Sequence, residues 1–183
     1  NVHLVIATRS DPPLPLSRMR ARGELVEVRS ADLRFTEVEA ADYLADSMDL
    51  TLSDADVATL ADRTEGWAAA LQLAALSLQG RDDPGAAVAK FAGDDRFIVD
   101  YLVDEVLDRL PADVRTFLLD TCILDRLTGP LCDAVTERSD GASVLRELER
   151  ANLFLVPLDD SRQWYRYHQL FADVLRSHLG RED

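Results

Sequence analysis

The sequence predicts a mainly α protein: a compact helical subdomain, then a winged-helix arrangement, with a remnant of an α/β domain at the N-terminus. Three observations carry this. Apolar residues recur at helical spacing over most of the chain from Thr36 onward. Two short strand-like runs flanking a turn interrupt that spacing near residue 160 before it resumes. The first residues, Val2 to Ala7, form a nearly continuous apolar run, the pattern of a strand buried on both faces of a parallel sheet.

That first run ends at Thr8-Arg9-Ser10-Asp11-Pro12-Pro13, where two prolines forbid ladder donation. The polar residues before them therefore sit at the carboxyl end of the strand, where open α/β sheets place ligands. Leu16 to Arg22 reads as a short basic helix, and Glu24 to Val28 alternates like a second strand. Two strands cannot make an α/β domain alone, so partners are expected before Asn1 and the chain is expected to be a piece of a longer protein.

From Thr36 the elements read as helices. Thr36 and Glu39 have capping-box spacing, with Val38, Ala41, Leu44 and Ala45 forming an apolar face to about Ser47. Ser53 caps a second helix, with Val57, Leu60 and Ala61 inward and Gly66 closing it. Trp67 to Leu78 is almost wholly apolar and predicts a central buried helix. A turn-rich connector, Gly80 to Gly85, leads to a short helix from Ala86 to Phe91. Phe97, Ile98, Tyr101, Leu102, Val106, Leu107 and Leu110 share one stripe stopped by Pro111, near which the next helix starts. Short helices follow from Thr128 to Val135 and from Ser143 to Ala151. A hairpin over 153–158 and 163–167 precedes a last helix from His168 to about Leu179.

Composition narrows the function classes. The chain has 183 residues, 47% of them apolar and 30% charged, which fits a folded globular protein and excludes disorder or a fibrous repeat. Lys and Arg total 20 against 34 Asp and Glu, a net charge of -14 that repels phosphate backbones and anionic lipid. No apolar run is long enough for a membrane span. Cys122 and Cys132 make neither a disulfide framework nor a four-ligand metal site, and a cytoplasmic location is expected. P-loop, H-E-x-x-H, G-x-S-x-G and protein-kinase motifs are absent from the chain. With Lys90 the only lysine and His3, His168 and His178 far apart, no enzymatic activity is expected of this segment.

Four features bear on chemistry. Arg9, at a strand end, suits a phosphate, or alternatively a cap on the sheet edge or a pair with Asp11. His168, where the hairpin re-enters a helix, can donate to a phosphate, or bond a neighbouring carbonyl. Gly66 and Trp67 offer close backbone approach and a flat face to a ligand's base, or simply a core tryptophan at a helix joint. The acids from Asp94 to Asp108 read as the solvated face of a helix in preference to a metal site.

Five segments together resemble a known family: Leu4-Val5-Ile6-Ala7-Thr8-Arg9-Ser10-Asp11-Pro12-Pro13, Thr64-Glu65-Gly66-Trp67-Ala68-Ala69, Phe97-Ile98-Val99-Asp100-Tyr101-Leu102, Glu149-Arg150-Ala151-Asn152-Leu153-Phe154-Leu155 and Tyr165-Arg166-Tyr167-His168-Gln169-Leu170-Phe171. They are similar to the regulatory ATPase module of the LuxR-type, MalT-like transcriptional activators, signal-transduction ATPases of the STAND class. The resemblance implies that residues 1–30 end a P-loop NTPase core, 31–94 form a helical lid and 95–183 a winged-helix domain. It implies ATP or ADP with Mg in the intact protein, and no tight nucleotide binding by this segment alone. Arg9 then matches the γ-phosphate sensor, His168 the histidine that contacts the β-phosphate of ADP, and Gly66 and Trp67 the lid position facing adenine. Related ATPases carry a Gly-x-Pro turn at that lid position, which this sequence lacks.

The implied partners are a P-loop core, a sensor and a helix-turn-helix domain outside the chain, together with self-association in the active state. DNA would be bound only through that outside domain, and no membrane contact is implied. Two other readings stand beside this one. The same region also occurs fused to a Ser/Thr protein kinase, and a decayed version would be an interaction scaffold without nucleotide binding.

Overall fold

The computed structural model describes residues 3–8, 11–81, 83–91 and 95–182. Among these, helices dominate and the sheet has two strands. The chain divides into two compact units: Asn1–Val28 with Arg126–Arg166, and Arg29–Asp125 with Tyr167–Asp183. No described helix is long and apolar enough to cross a membrane.

The two N-terminal strands expected from the sequence do not form. Residues 3–8 and 24–28 are irregular, and Leu4, Val5 and Val26 stand exposed. A strand satisfies its amides through a neighbour, and no sheet forms around either segment among the described residues. Between them lies α1 (Leu16–Ala21), the expected short basic helix.

The next helices begin at the caps legible in the sequence. Thr36 accepts the Glu39 amide at 3.3 Å while the Glu39 carboxylate takes the Thr36 amide at 2.9 Å, opening α2 (Glu37–Asp42). The Thr36 amide foremost, and then the Thr36 hydroxyl, which also donates to this carboxylate, hold the Glu39 carboxyl below the usual carboxylate range. α2 widens into a π turn over Tyr43–Ser47. Ser53 caps α3 (Asp54–Thr64), and the apolar run becomes α4 (Ala68–Leu78), with Ala70, Leu71, Ala74, Ala75 and Leu78 buried. Asp83 and Pro84 start α5 (Pro84–Lys90). Asp95 starts α6 (Arg96–Glu105), which buries Ile98 and Leu102 but leaves Phe97 exposed. Pro111 precedes α7 (Ala112–Thr121). α4 packs on α3, α5 and α6, which accounts for its lack of a polar face.

Thr128 caps α8 (Gly129–Thr136), and α9 (Gly141–Arg150) packs against it. The hairpin follows as β1 (Leu155–Pro157) and β2 (Tyr165–Tyr167). Its turn is built by Asp159, whose carboxylate accepts the Gln163 and Trp164 amides, both at 2.9 Å, and the Ser161 hydroxyl. Those bonds, the hydroxyl's foremost, lower the Asp159 carboxyl.

α10 (Gln169–Glu182) closes the chain and packs on α3, α6 and α7. Thr121 donates its hydroxyl proton to the Phe117 carbonyl, so the Tyr167 hydroxyl donates to Thr121 Oγ1 at 2.7 Å. Cys122 and Cys132 are free and buried. Burial, reinforced by the Asp133 charge, pushes the Cys132 thiol up from 9.0 to about 11.

A raised thiol means that the folded state keeps a proton the unfolded chain releases. The stability this confers is whole below the unfolded value and is lost as pH rises through the folded one. Urea unfolding of the wild type and of Cys132→Ala should therefore diverge between pH 9 and about 11, with the wild type losing more stability over that window. Parallel loss in both proteins would show that Cys132 contributes nothing to it.

Candidate functional site

Helix α3 ends at Thr64, and the chain reverses into α4 through two consecutive left-handed residues, Glu65 at φ 48° and Gly66 at φ 69°. Glycine tolerates that conformation without cost, whereas glutamate adopts it under some strain. A second constraint falls on Gly66. A Cβ there would lie 2.5 Å from the Phe35 carbonyl oxygen, and the Phe35 amide donates to the Gly66 carbonyl at 2.8 Å. The close approach that this glycine permits is to the backbone of the segment leading into α2.

The start of α10 meets the same turn. His168 is buried, and its Nε2 lies 3.0 Å from the Thr64 carbonyl oxygen. A carbonyl only accepts, so Nε2 carries the proton and donates. One residue on, the Gln169 amide donates to Glu65 Oε1 at 2.9 Å. Consecutive residues 64 and 65 thus grip consecutive residues 168 and 169 across 104 positions of sequence. The Glu65 carboxylate sits at the positive end of the α10 dipole, with Arg34 3.6 Å away on its other side.

Trp67 completes the cluster. Its ring stands nearly perpendicular to the His168 ring with centroids 6.0 Å apart, and 5.9 Å from the Tyr101 ring of α6. The tryptophan is half-buried, at once part of the packing and a wall beside the imidazole.

Gly66, Trp67 and His168 are therefore brought together, while Arg9 lies outside the described residues. In and after α6, Asp100 pairs with Arg96, Glu105 with Arg109 and Asp108 with Arg115, while Asp104 is exposed. Asp95 caps α6 and bonds Ser77, and Asp94 lies outside the described residues. No group of three metal-ligating side chains occurs among the described residues. Two contributors went unremarked in the sequence, Glu65 and the Thr64 carbonyl. The signal for Glu65 was its place between a helix end and a glycine, where a non-glycine residue must turn left-handed.

Helices, a two-stranded wing and a closing helix make this a winged-helix region together with a helical module. Residues 103–183 match the model of the MalT winged helix domain. Along nearly its whole length the chain is similar to larger proteins. It is 40% identical over 181 residues, 99% of the chain and 16% of the relative, to the serine/threonine-protein kinase PknK of Mycobacterium tuberculosis. It is 39% identical over 178 residues to the HTH-type transcriptional regulator MalT of Klebsiella pneumoniae, and 38% identical to that of Yersinia enterocolitica. These two alignments take in 96% of the chain and 20% of each regulator, so the chain spans about a fifth or less of the relatives it matches. The chain is thus similar to a region shared by the MalT regulators and PknK, with the match to the MalT winged helix domain over residues 103–183.

Two substitutions test the turn. Gly66→Ala should destabilise the protein by about 2 kcal/mol or more, through positive φ and the clash with Phe35, as read by urea unfolding. Glu65→Ala removes the carboxylate cap of α10 and should cost about 1–2 kcal/mol. Its specific signature is faster amide hydrogen exchange at Gln169 than elsewhere in α10; uniform change along the helix would show that the cap is not the cause.

Proposed function

We propose that this region is the hinge of a nucleotide-regulated, MalT-like transcriptional regulator. In the resting protein, ADP would keep the winged helix closed through His168. Exchange for ATP in the presence of an inducer would release it for self-association and for DNA binding by another domain. On this reading residues 1–30 end a P-loop core, 31–94 are its lid and 95–183 its winged helix, and the protein works in the cytoplasm. The region has no catalytic role of its own.

The observation that supports this reading is the convergence of His168 with Gly66 and Trp67, the contact from His168 to Thr64 spanning 104 positions of sequence. A flat indole and an imidazole N–H are the chemistry that a base and a phosphate oxygen require. Gly66 serves differently, since the Phe35 carbonyl fills its open side. Phosphate affinity would come mainly from a P-loop, a motif absent from this sequence, so calorimetry should detect no tight ADP binding to these 183 residues. Arg9 is assigned to the γ-phosphate and Mg to the intact nucleotide site by resemblance alone.

Ligand discrimination is what moves such a switch, and His168 has one Nε2 proton to give. The Thr64 carbonyl takes it here. An anionic phosphate oxygen is the stronger acceptor, so bound ADP would take this proton over from Thr64 and hold the α10 start through the nucleotide, and its loss would release that hold.

The test is made in the full-length regulator. His168→Gln retains a donor for Thr64, whereas His168→Ala does not. Both should lose ADP on desalting about tenfold faster than the wild type and raise basal transcription, while only Ala lowers the melting temperature. Unchanged ADP retention in both would overturn the reading. The similarity to PknK supports a second one, in which the same hinge regulates a Ser/Thr kinase domain; kinase activity that responds to His168→Gln, with no transcriptional output, would select it.

A further inference from the structure

Charge is divided unevenly between the two units. Arg29–Asp125 with Tyr167–Asp183 carries ten basic against twenty-four acidic residues, so the whole net charge of -14 lies there. Asn1–Val28 with Arg126–Arg166 carries ten arginines against ten acids and is neutral. Within this neutral unit a groove of about 340 Å³ opens between the start of α8, the outer face of α9 and the wing.

The groove is amphipathic. Leu145 and Tyr165, both buried, form its floor, and Trp164, 45% exposed, stands at its wall. Arg146 from α9 and Arg162 from the wing turn supply the charge. Arg162 is tethered at 3.2 Å to Glu149, which also accepts the Tyr165 hydroxyl at 3.2 Å. Arg146 is exposed and makes no ion pair among the described residues.

We propose that this groove docks an acidic peptide segment of a partner protein, an apolar side chain lying against the exposed Trp164 and a carboxylate meeting Arg146. The volume is that of a ligand or short-peptide site. An accessible tryptophan beside arginines is the composition of an interface hot spot. One untethered guanidinium and one tethered one match one or two carboxylates. Duplex DNA presents a charge about every 1.7 Å and calls for a run of cations that a neutral unit does not offer. This inference is independent of the nucleotide switch.

The probe is an end-blocked, fluorescein-labelled decapeptide of alternating Asp and Leu, titrated by anisotropy with the 183-residue chain. Binding should weaken at least fivefold when Asn replaces Asp, and likewise with Arg146→Glu or Trp164→Ala. It should also weaken as salt rises from about 50 to about 300 mM. Arg146 is exposed, so its variant should keep the wild-type circular dichroism and melting temperature, and it carries the test if Trp164→Ala unfolds. No binding at millimolar peptide, equal binding of the Asn peptide, or indifference to Arg146→Glu would each overturn the proposal. Tighter, Arg146-dependent binding of labelled duplex DNA would replace it with a nucleic-acid surface. An Arg146-dependent dimer in sedimentation that the peptide does not displace would replace it with a second copy of the chain.

Discussion

The pair of hydrogen bonds from His168 Nε2 to the Thr64 carbonyl and from the Gln169 amide to Glu65 is the constraint on which the second unit turns. Each bond is worth about 1 kcal/mol net, but a buried imidazole N–H without its acceptor costs about 1–3 kcal/mol. The joint is therefore either made or broken, with little stability for a half-open form. It also depends on the backbone reversing twice through the left-handed region, so that Thr64 presents its carbonyl and Glu65 its carboxylate to the same short stretch. Gly66 permits the reversal, and the Phe35 carbonyl against its Cα leaves no room for a larger residue. Four separate stretches of sequence, around residues 35, 65, 101 and 168, are bound to one another through this turn.

Much of the fold was legible because caps and periodicity are local. Thr36 with Glu39, Ser53 and Thr128 mark helix starts that the structure reproduces, and the switch of period near residue 160 marked the hairpin. What was illegible depends on distant partners. The apolar run at the N-terminus has strand character, but a strand exists only as half of a pair. Phe97 sits on the predicted stripe of α6 yet faces solvent, because being on a stripe does not say how far the neighbouring helices extend over it. The sequence motifs name Gly66, Trp67 and His168, which the fold brings together, whereas the role of Glu65 is not legible because its partner lies 104 residues away. From sequence Trp67 reads as either core or ligand wall, and in the fold it is half-buried with its ring against His168.

Net charge illustrates how an average can hide its parts. The value of -14 sets a field that repels a nucleic-acid backbone from the unit that carries it, without bearing on a single local contact such as that of His168. It says nothing of residues 126–166, where the acids are bound up locally: Asp133 on the Gly141 amide, Asp140 on Arg138, Glu149 on Arg162 and Tyr165, Asp159 on the wing turn. Carboxylates committed to amides and guanidinium groups shape the backbone while contributing little outward field. The wing owes its form to Asp159, and the position of Arg162 to Glu149.

Two donors and two acceptors, adjacent in sequence on each side, give the joint its logic. Because the Thr64 carbonyl can only accept, His168 carries a proton on Nε2, and the Thr64 carbonyl holds it. Any other acceptor for that proton must displace Thr64, and displacement strains the neighbouring Gln169–Glu65 bond, because residues 168 and 169 share one helix start. Loss of the first contact thus weakens the second, and the two together fasten α10 to the end of α3. A bond between side chain and backbone in a buried place can in this way couple the fate of one imidazole to the packing of two helices, without a pathway of intermediate residues.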